Sequence, residues 1–451
     1  MATAVATTGF SQEAFDAFLA VRDEPAWLMD MRRKAWNRFL ELPMPSVRDE
    51  EWMRTDIRLF KLDRFNLPET DGHTAAAQRA IPHALLAAGV DLGGRVVGMN
   101  SHGVAAEIDP KLASQGVLFG NMAKLVREHA KQLQPFFERH IVNPHQDKFA
   151  ALNAACWSGG TLLYVPKNVR IERPLHSLSG IFDGGVDLGK TMVILEPGSE
   201  ATMLSETASV STEGGGLHCG SIELIVEQGA KLRYVNLQNW GHEVWHFAHQ
   251  KASVGREGKI QWTIGALGAR LAKVNQHVEM TGPDGEAQVN GVMFTEGRQH
   301  LSYNTHQHHK APYCKSDLLY KTALQDTSRT VWRGMIRVDR EAQRTDAYQR
   351  NDNLMLSRDA RSDSIPGLEI EADDVRCTHG STSGRVDEQQ LFYAMTRGFT
   401  RREAVRMIVT GFFQQVFDRI TIESVRDALG EAIGRRVRDL KAKELAAAGG
   451  A

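Results

Sequence analysis

One kind of turn recurs along the middle of this chain at a near-constant interval, and that recurrence limits the possible folds more than any other feature. Val165-Pro166-Lys167-Asn168, Glu196-Pro197-Gly198-Ser199, Glu227-Gln228-Gly229-Ala230, Arg256-Glu257-Gly258-Lys259 and Gly282-Pro283-Asp284-Gly285 each separate two runs rich in Val, Ile, Leu, Thr and Tyr. Gly198, Gly229, Gly258 and Gly285 follow one another at 31, 29 and 27 residues. A degenerate repeat of that length marks a solenoid, in which each unit buries its apolar face against the next. No amphipathic helix of crossover length lies between the runs, which argues against a βαβ sheet. The spacing therefore predicts a parallel β-helix with several short strands to each coil and alternate side chains stacked in a central core. A sandwich of two face-packed antiparallel sheets is the competing arrangement. Later turns at Asp326-Thr327-Ser328, Asp339-Arg340-Glu341 and Arg358-Asp359-Ala360 continue the repeat at closer spacing.

Helical periodicity flanks this region, so the chain divides into an N-terminal helical and mixed part over 1–148, a β core over 149–385 and a C-terminal helical part over 386–451. Glu24-Pro25 reads as an N-cap with proline at the first helical position, followed by Leu28, Met31, Ala35 and Phe39 on one face. Arg95 to Met99 reads as a strand, and helices follow around 117–141. After the β core, Asp387 caps a short helix, and Thr400-Arg401-Arg402-Glu403 is a capping box. Val405, Ile408, Val409, Phe412, Phe413, Val416 and Phe417 form the apolar face of the helix it starts. A last helix is expected from Glu423 to Leu445. Solenoid ends need covering, and the helices on both sides are expected to supply the caps.

Composition removes several classes of function. Lys and Arg number 54 against 55 Asp and Glu, a net charge of −1 that speaks against a nucleic-acid partner. Mean hydropathy is −0.34 and no apolar run reaches membrane-spanning length, so no membrane association is expected. The start, MATAVATTGFSQEAF, lacks the basic and apolar regions of a secretory signal, and a cytoplasmic location is expected. There is no phosphate loop, so no ATP site is evident, and there is likewise no G-x-S-x-G elbow, no H-E-x-x-H helix and no dinucleotide fingerprint. Gly214-Gly215-Gly216 reads as a flexible turn. Cys156, Cys219, Cys314 and Cys377 contain no C-x-x-C pair, so neither a disulfide framework nor a self-contained zinc site is indicated.

Two groups of residues carry ligand chemistry. His306 and His308, in Asn304-Thr305-His306-Gln307-His308-His309, share a face if the segment is a strand and could both reach one metal. No carboxylate stands at ligand spacing beside them, and a polar surface strand or subunit contact is the alternative. Cys377 and His379 likewise share a strand face, with Cα atoms roughly 6.6 Å apart, and thiolate and imidazole both suit iron or zinc. Two ligands make an incomplete site. Either the pair is structural, or a second polypeptide supplies the rest at an interface.

The region containing Cys377 and His379 resembles the SufB/SufD family of the SUF iron–sulfur cluster assembly system. The resemblance rests on Gln343-Arg344-Thr345-Asp346-Ala347-Tyr348-Gln349, Leu368-Glu369-Ile370, Asp373-Asp374-Val375-Arg376-Cys377-Thr378-His379-Gly380, Asp387-Glu388-Gln389-Gln390-Leu391-Phe392-Tyr393, Arg397-Gly398 and the helix from Glu403 to Phe412. Weaker similarity reaches upstream through Phe149-Ala150-Ala151-Leu152-Asn153 to Glu51-Trp52, so it covers most of the chain. SufB proteins commonly carry an N-terminal cysteine motif that is missing here, and Gly380 stands where SufB-like chains tend to have Glu. Both departures place the chain nearer the SufD branch.

The resemblance implies a right-handed parallel β-helix between N- and C-terminal helical domains. It further implies a non-catalytic scaffold subunit in a complex with SufB and two copies of the ATPase SufC. SufB and SufD would pair through their β-helices and each would bind a SufC through its C-terminal helices, ATP-driven SufC dimerisation then remodelling the SufB–SufD interface. His379 matches the histidine that, with a SufB cysteine, is implicated in building the cluster; Cys377 matches a neighbouring position with a weaker case. No tightly bound cofactor is implied, only transient iron or a nascent cluster at the interface with SufB. A homodimeric scaffold and a β-helix carbohydrate lyase are the competing functions. The lyase would need an acidic and basic cleft that is not evident in the sequence.

Overall fold

A computed structural model describes residues 9–68 and 81–437. Its central element is a parallel β-helix built from two facing sheets, with consecutive strands alternating between them from Gly189–Leu195 onward. One sheet runs from His102–Ile108 and Gly94–Met99 at its start to Asp346–Met355 and Arg376–Arg385 at its end. The other runs from Leu118–Asn121 and Gly159–Val165 to Arg329–Val338 and Arg361–Ile370. Neighbouring strands are parallel except at the start, where two antiparallel pairs close the stack.

Each coil holds two strands, most of them of about ten residues, rather than several short ones. The correction has a simple cause. The five recurring turns read from the sequence before residue 290 all lie on one edge of the solenoid, between the second sheet and the first. Turns on the opposite edge, such as Trp240-Gly241-His242 and Leu267-Gly268-Ala269-Arg270, are short and partly apolar and carry a weaker signal. The later turns at 326–328, 339–341 and 358–360 are closely spaced because they alternate between the two edges.

The repeating backbone feature is also one residue removed from two of the glycines. Left-handed backbone recurs at Asn168, Gly198, Gly229, Glu257, Asp284, Tyr313 and Arg344, with φ between 55° and 73°. Gly258 and Gly285 follow the left-handed residue. A Cβ on Gly258 would stand 3.0 Å from the Gly255 carbonyl oxygen, so close packing is what calls for glycine there.

Parallel pairing aligns side chains in rows that run along the solenoid. Leu232, Ile260, Ala287, Ser316, Ala347 and Cys377 form one interior row. Tyr234, Trp262, Leu318, Tyr303 and Trp332 fill the space between the sheets.

The N-terminal helices Gln12–Ala20 and Ala26–Glu41 pack with helix Lys148–Cys156 over the outside of the second sheet. Phe149 stacks on Phe247 at 3.8 Å, and Lys273 donates to the Glu51 carbonyl. Pro25 is the cap residue itself, so the helix starts one position later than expected. Glu24 is unavailable as a cap because its carboxylate is held by Arg32 at 2.6 and 2.9 Å. Arg32, completely buried, also donates to the Ala155 carbonyl.

The C-terminal helices Glu388–Thr396, Arg401–Phe417 and Glu423–Arg436 begin as expected, with Asp387 accepting from the Gln389 N–H and the Thr400/Glu403 capping box formed. The last helix is capped by Val437; its expected extension to Leu445 lies outside the described residues. These helices do not cap the solenoid. They fold back on the outside of the first sheet, where Val405, Val409, Phe413, Val416 and Phe417 bury Val235, Leu237, Val292, Phe294 and Leu319. The helices remove that outward apolar stripe from water, and the C-terminal end of the β-helix is left open.

Candidate functional site

At that open end the last strand of each sheet, Arg361–Ile370 and Arg376–Arg385, pairs on one side only among the described residues. Two ten-residue edges with unpaired backbone donors and acceptors are a template for another strand, a hazard that proteins normally cover or interrupt. The interior rows also end here. Leu368 and Ile370 are 38% and 39% exposed, whereas Ile336 and Val338, one coil earlier, are fully buried. Polar members of the last layer bond to one another. Ser381 donates to Ser364 at 2.7 Å, Ser364 to Asn351 at 2.8 Å, and the Gln349 amide to the Gly367 carbonyl at 3.0 Å.

Cys377 and His379 lie in this terminal layer. Cys377 stands beside the buried Ala347 and His379 beside the buried Gln349, so both continue interior rows, on one strand face as the period of two requires. Cys377 is half-buried against Ile336, Val338, Ala342, Ala347 and Ala372. That burial pushes its thiol up from the ordinary value, so it is protonated at neutral pH. His379 is exposed, its imidazole open to a ligand from outside. Among the described residues no three His, Cys, Asp or Glu side chains gather in a geometry that holds a metal ion. The pair can contribute to a donor set but cannot complete one.

Gly380, the position that departs from the SufB-like pattern, is not demanded by space. An added Cβ would meet only the Tyr348 hydroxyl at 3.6 Å and the Arg350 side chain at 3.9 Å, both ordinary contacts. Gly380→Ala is expected to change stability by no more than about 0.5 kcal/mol. Thermal unfolding checks this, and a clear drop in Tm would show that the edge strand is packed against something else.

The histidines at 306–309 are separated by the strand. His309 points inward, bonded to the Ser316 hydroxyl at 2.8 Å and fully buried. His306 and His308 point outward on the second sheet, their rings parallel and 5.5 Å apart. Carboxylates do stand beside them, contrary to the sequence reading, but they come from neighbouring coils. His308 Nε2 lies 2.8 Å from Asp339, and its Nδ1 lies 3.9 Å from Glu279.

Comparison with known proteins adds a separate line of observation. A family profile described as "SUF system FeS cluster assembly, SufBD core domain" matches residues 182–412, and one described as "SufBD protein N-terminal region" matches residues 17–176. Relatives from Staphylococcus epidermidis and Staphylococcus haemolyticus are 26% and 27% identical over 92% of this chain and 90% of theirs. One from Staphylococcus aureus is 26% identical over 89% of this chain and 88% of its own. Each is named as an iron-sulfur cluster assembly SufBD family protein.

Proposed function

This chain belongs to the SufBD family of iron–sulfur cluster assembly proteins, and on that premise we propose that it is a SufD-type scaffold without ATPase activity, working in the cytoplasm. The observation that carries the reading is the open end of the solenoid, where two edge strands frame an exposed imidazole and a half-buried thiol. A partner β-helix of the SufB type would cover those edges by strand addition and bury Leu368 and Ile370. In doing so it would bring its own thiolate toward His379. Iron or a nascent cluster is then cargo, held between two subunits. The Gly380 departure and the scatter of the four cysteines support the SufD rather than the SufB assignment.

The C-terminal helices offer the second contact. Phe392, Tyr393, Met395, Phe399 and Met407 are exposed, and a hollow of about 430 Å³ is lined by Phe399, Glu403, Arg406, Met407 and Thr410. An apolar surface of this kind suits an ATPase subunit of the SufC type. No helix among the described residues is long and apolar enough to cross a membrane.

Mixing the purified chain with SufB and SufC and measuring mass by light scattering is expected to give one complex containing all three. The same exposed edges would also accept a second copy of this chain. A homodimer that persists with SufB present in excess would favour the self-paired scaffold, and a monomer that ignores both partners would overturn the reading.

A further inference from the structure

Several coils before the open end, the space between the two sheets contains a polar cavity of about 40 Å³. His218 and His246, side by side in register, line it from the second sheet together with Gln250, and Asn236 lines it from the first. These four residues are only 3% to 7% exposed. A Cβ on Gly220 would clash with His218 Nε2, so glycine keeps the space in front of that nitrogen open.

Each imidazole has its tautomer set from behind. His218 Nδ1 lies 2.8 Å from Asp187 Oδ2, and the other carboxylate oxygen accepts from the Ser101 hydroxyl at 2.8 Å. A carboxylate can only accept, so Nδ1 carries the proton and the neutral His218 ring presents Nε2 as an acceptor. His246 is wired the other way. Trp240 Nε1 donates to its Nδ1 at 3.2 Å, and burial pushes the ring well below its ordinary value, so it is neutral with its proton on Nε2. The two rings are stacked with centres 4.8 Å apart, and no protein group accepts from His246 Nε2. Across the cavity the same complementarity recurs. Asn236 Oδ1 is taken by Trp262 Nε1 at 2.7 Å, which leaves the Asn236 amide as a donor, while Gln250 Oε1 accepts from no protein group.

We propose that this cavity is a built site for two water molecules, one accepting from His246 Nε2 and donating to His218 Nε2, the other accepting from Asn236 Nδ2 and donating to Gln250 Oε1. Each pair joins one donor to one acceptor, and a water meets both with its own two functions. A metal ion would need a lone pair on each nitrogen, and His246 Nε2 carries a proton instead. An anion would meet the acceptors His218 Nε2 and Gln250 Oε1 with repulsion. One water needs roughly 10–15 Å³, so the cavity has room for two. The second water also joins the sheets, because Asn236 and Gln250 stand on opposite ones, and it does so where no side-chain bond links that pair directly.

The test is a crystal structure of the full chain grown with bromide in place of chloride, together with magnetic relaxation dispersion of water oxygen, which counts long-lived internal waters in solution. Ordered waters are expected at both named positions, with no bromide anomalous peak between the imidazoles. Gln250→Met keeps the side-chain length and removes the acceptor, and is expected to lose the second water and keep the first. His246→Phe is expected to lose the first and keep the second; if it fails to fold, Gln250→Met decides in its place. Bromide between the rings would show His218 protonated and the site built for an anion, which overturns the proposal. So does a wild-type chain without ordered water at these atoms, or an unchanged water count in the folded variants.

Discussion

If the proposed role holds, His379→Ala is expected to leave the fold and the proposed complex with SufB and SufC intact while cutting iron–sulfur cluster yield by roughly tenfold or more, the effect of losing one ligand from a sparse donor set. The side chain is exposed, so its removal opens no cavity, and a surface substitution of this kind changes stability by only about 0.5 kcal/mol. In the proposed role the imidazole would offer a nitrogen donor at a fixed place in the terminal layer, beside Gln349. Cys156, Cys219 and Cys314 are no substitute. All three are buried, and burial pushes Cys156 up to about 12 and Cys314 to about 11, far from the thiolate form that binds metal. The measurement is cluster content, by absorbance and iron and sulfide analysis, of the complex purified from cells that depend on this system. His379→Cys, which restores a ligand at the same position, should recover part of the yield. Normal yield from His379→Ala would reject the ligand role, and loss of the complex would instead assign His379 to the interface.

The pairing of Cys377 with His379 could be read from sequence because a strand alternates faces with period two. Which face they share could not, since Arg376–Arg385 is polar or small on both faces, and elsewhere in the solenoid the rows are apolar on both sides wherever helices cover the sheets. Val235 and Leu237 point outward beneath the C-terminal helices, while Leu232 and Tyr234 of the same strand point inward. A strand buried on two sides shows no alternation to read. The carboxylate partners of His308 were hidden for a related reason. Glu279 and Asp339 are close only through parallel register, one coil away on either side. The turn interval contained that information: stepping back 29 residues from His308 lands on Glu279. A periodic chain has to be searched at its own period, not along a single strand. The destination of the C-terminal helices needed the outward stripe of Val292, Phe294 and Leu319, which without the two-sheet arrangement reads as more core.

That packing decides how the ATPase contact has to be tested. Deleting residues 400–451 would remove the proposed contact, but it would also strip the cover from Val235, Leu237, Val292, Phe294 and Leu319. At about 1.5–3 kcal/mol for each large apolar side chain returned to water, the loss is roughly 7–15 kcal/mol, as large as the whole stability of a typical domain. A deletion that fails to bind would say nothing about recognition. Phe399 and Met407 offer a cleaner variant, because they are 42% and 52% exposed and line the hollow without entering the core. Phe399→Ser with Met407→Glu is expected to change Tm little and to weaken SufC binding by two orders of magnitude or so, as loss of paired hot-spot residues does. The same variant should retain SufB, because the edge strands Arg361–Ile370 and Arg376–Arg385 belong to the solenoid and not to these helices. Binding of SufC at wild-type strength, measured by titration calorimetry, would move the contact elsewhere. Simultaneous loss of SufB would mean that the helices and the open end act as one surface.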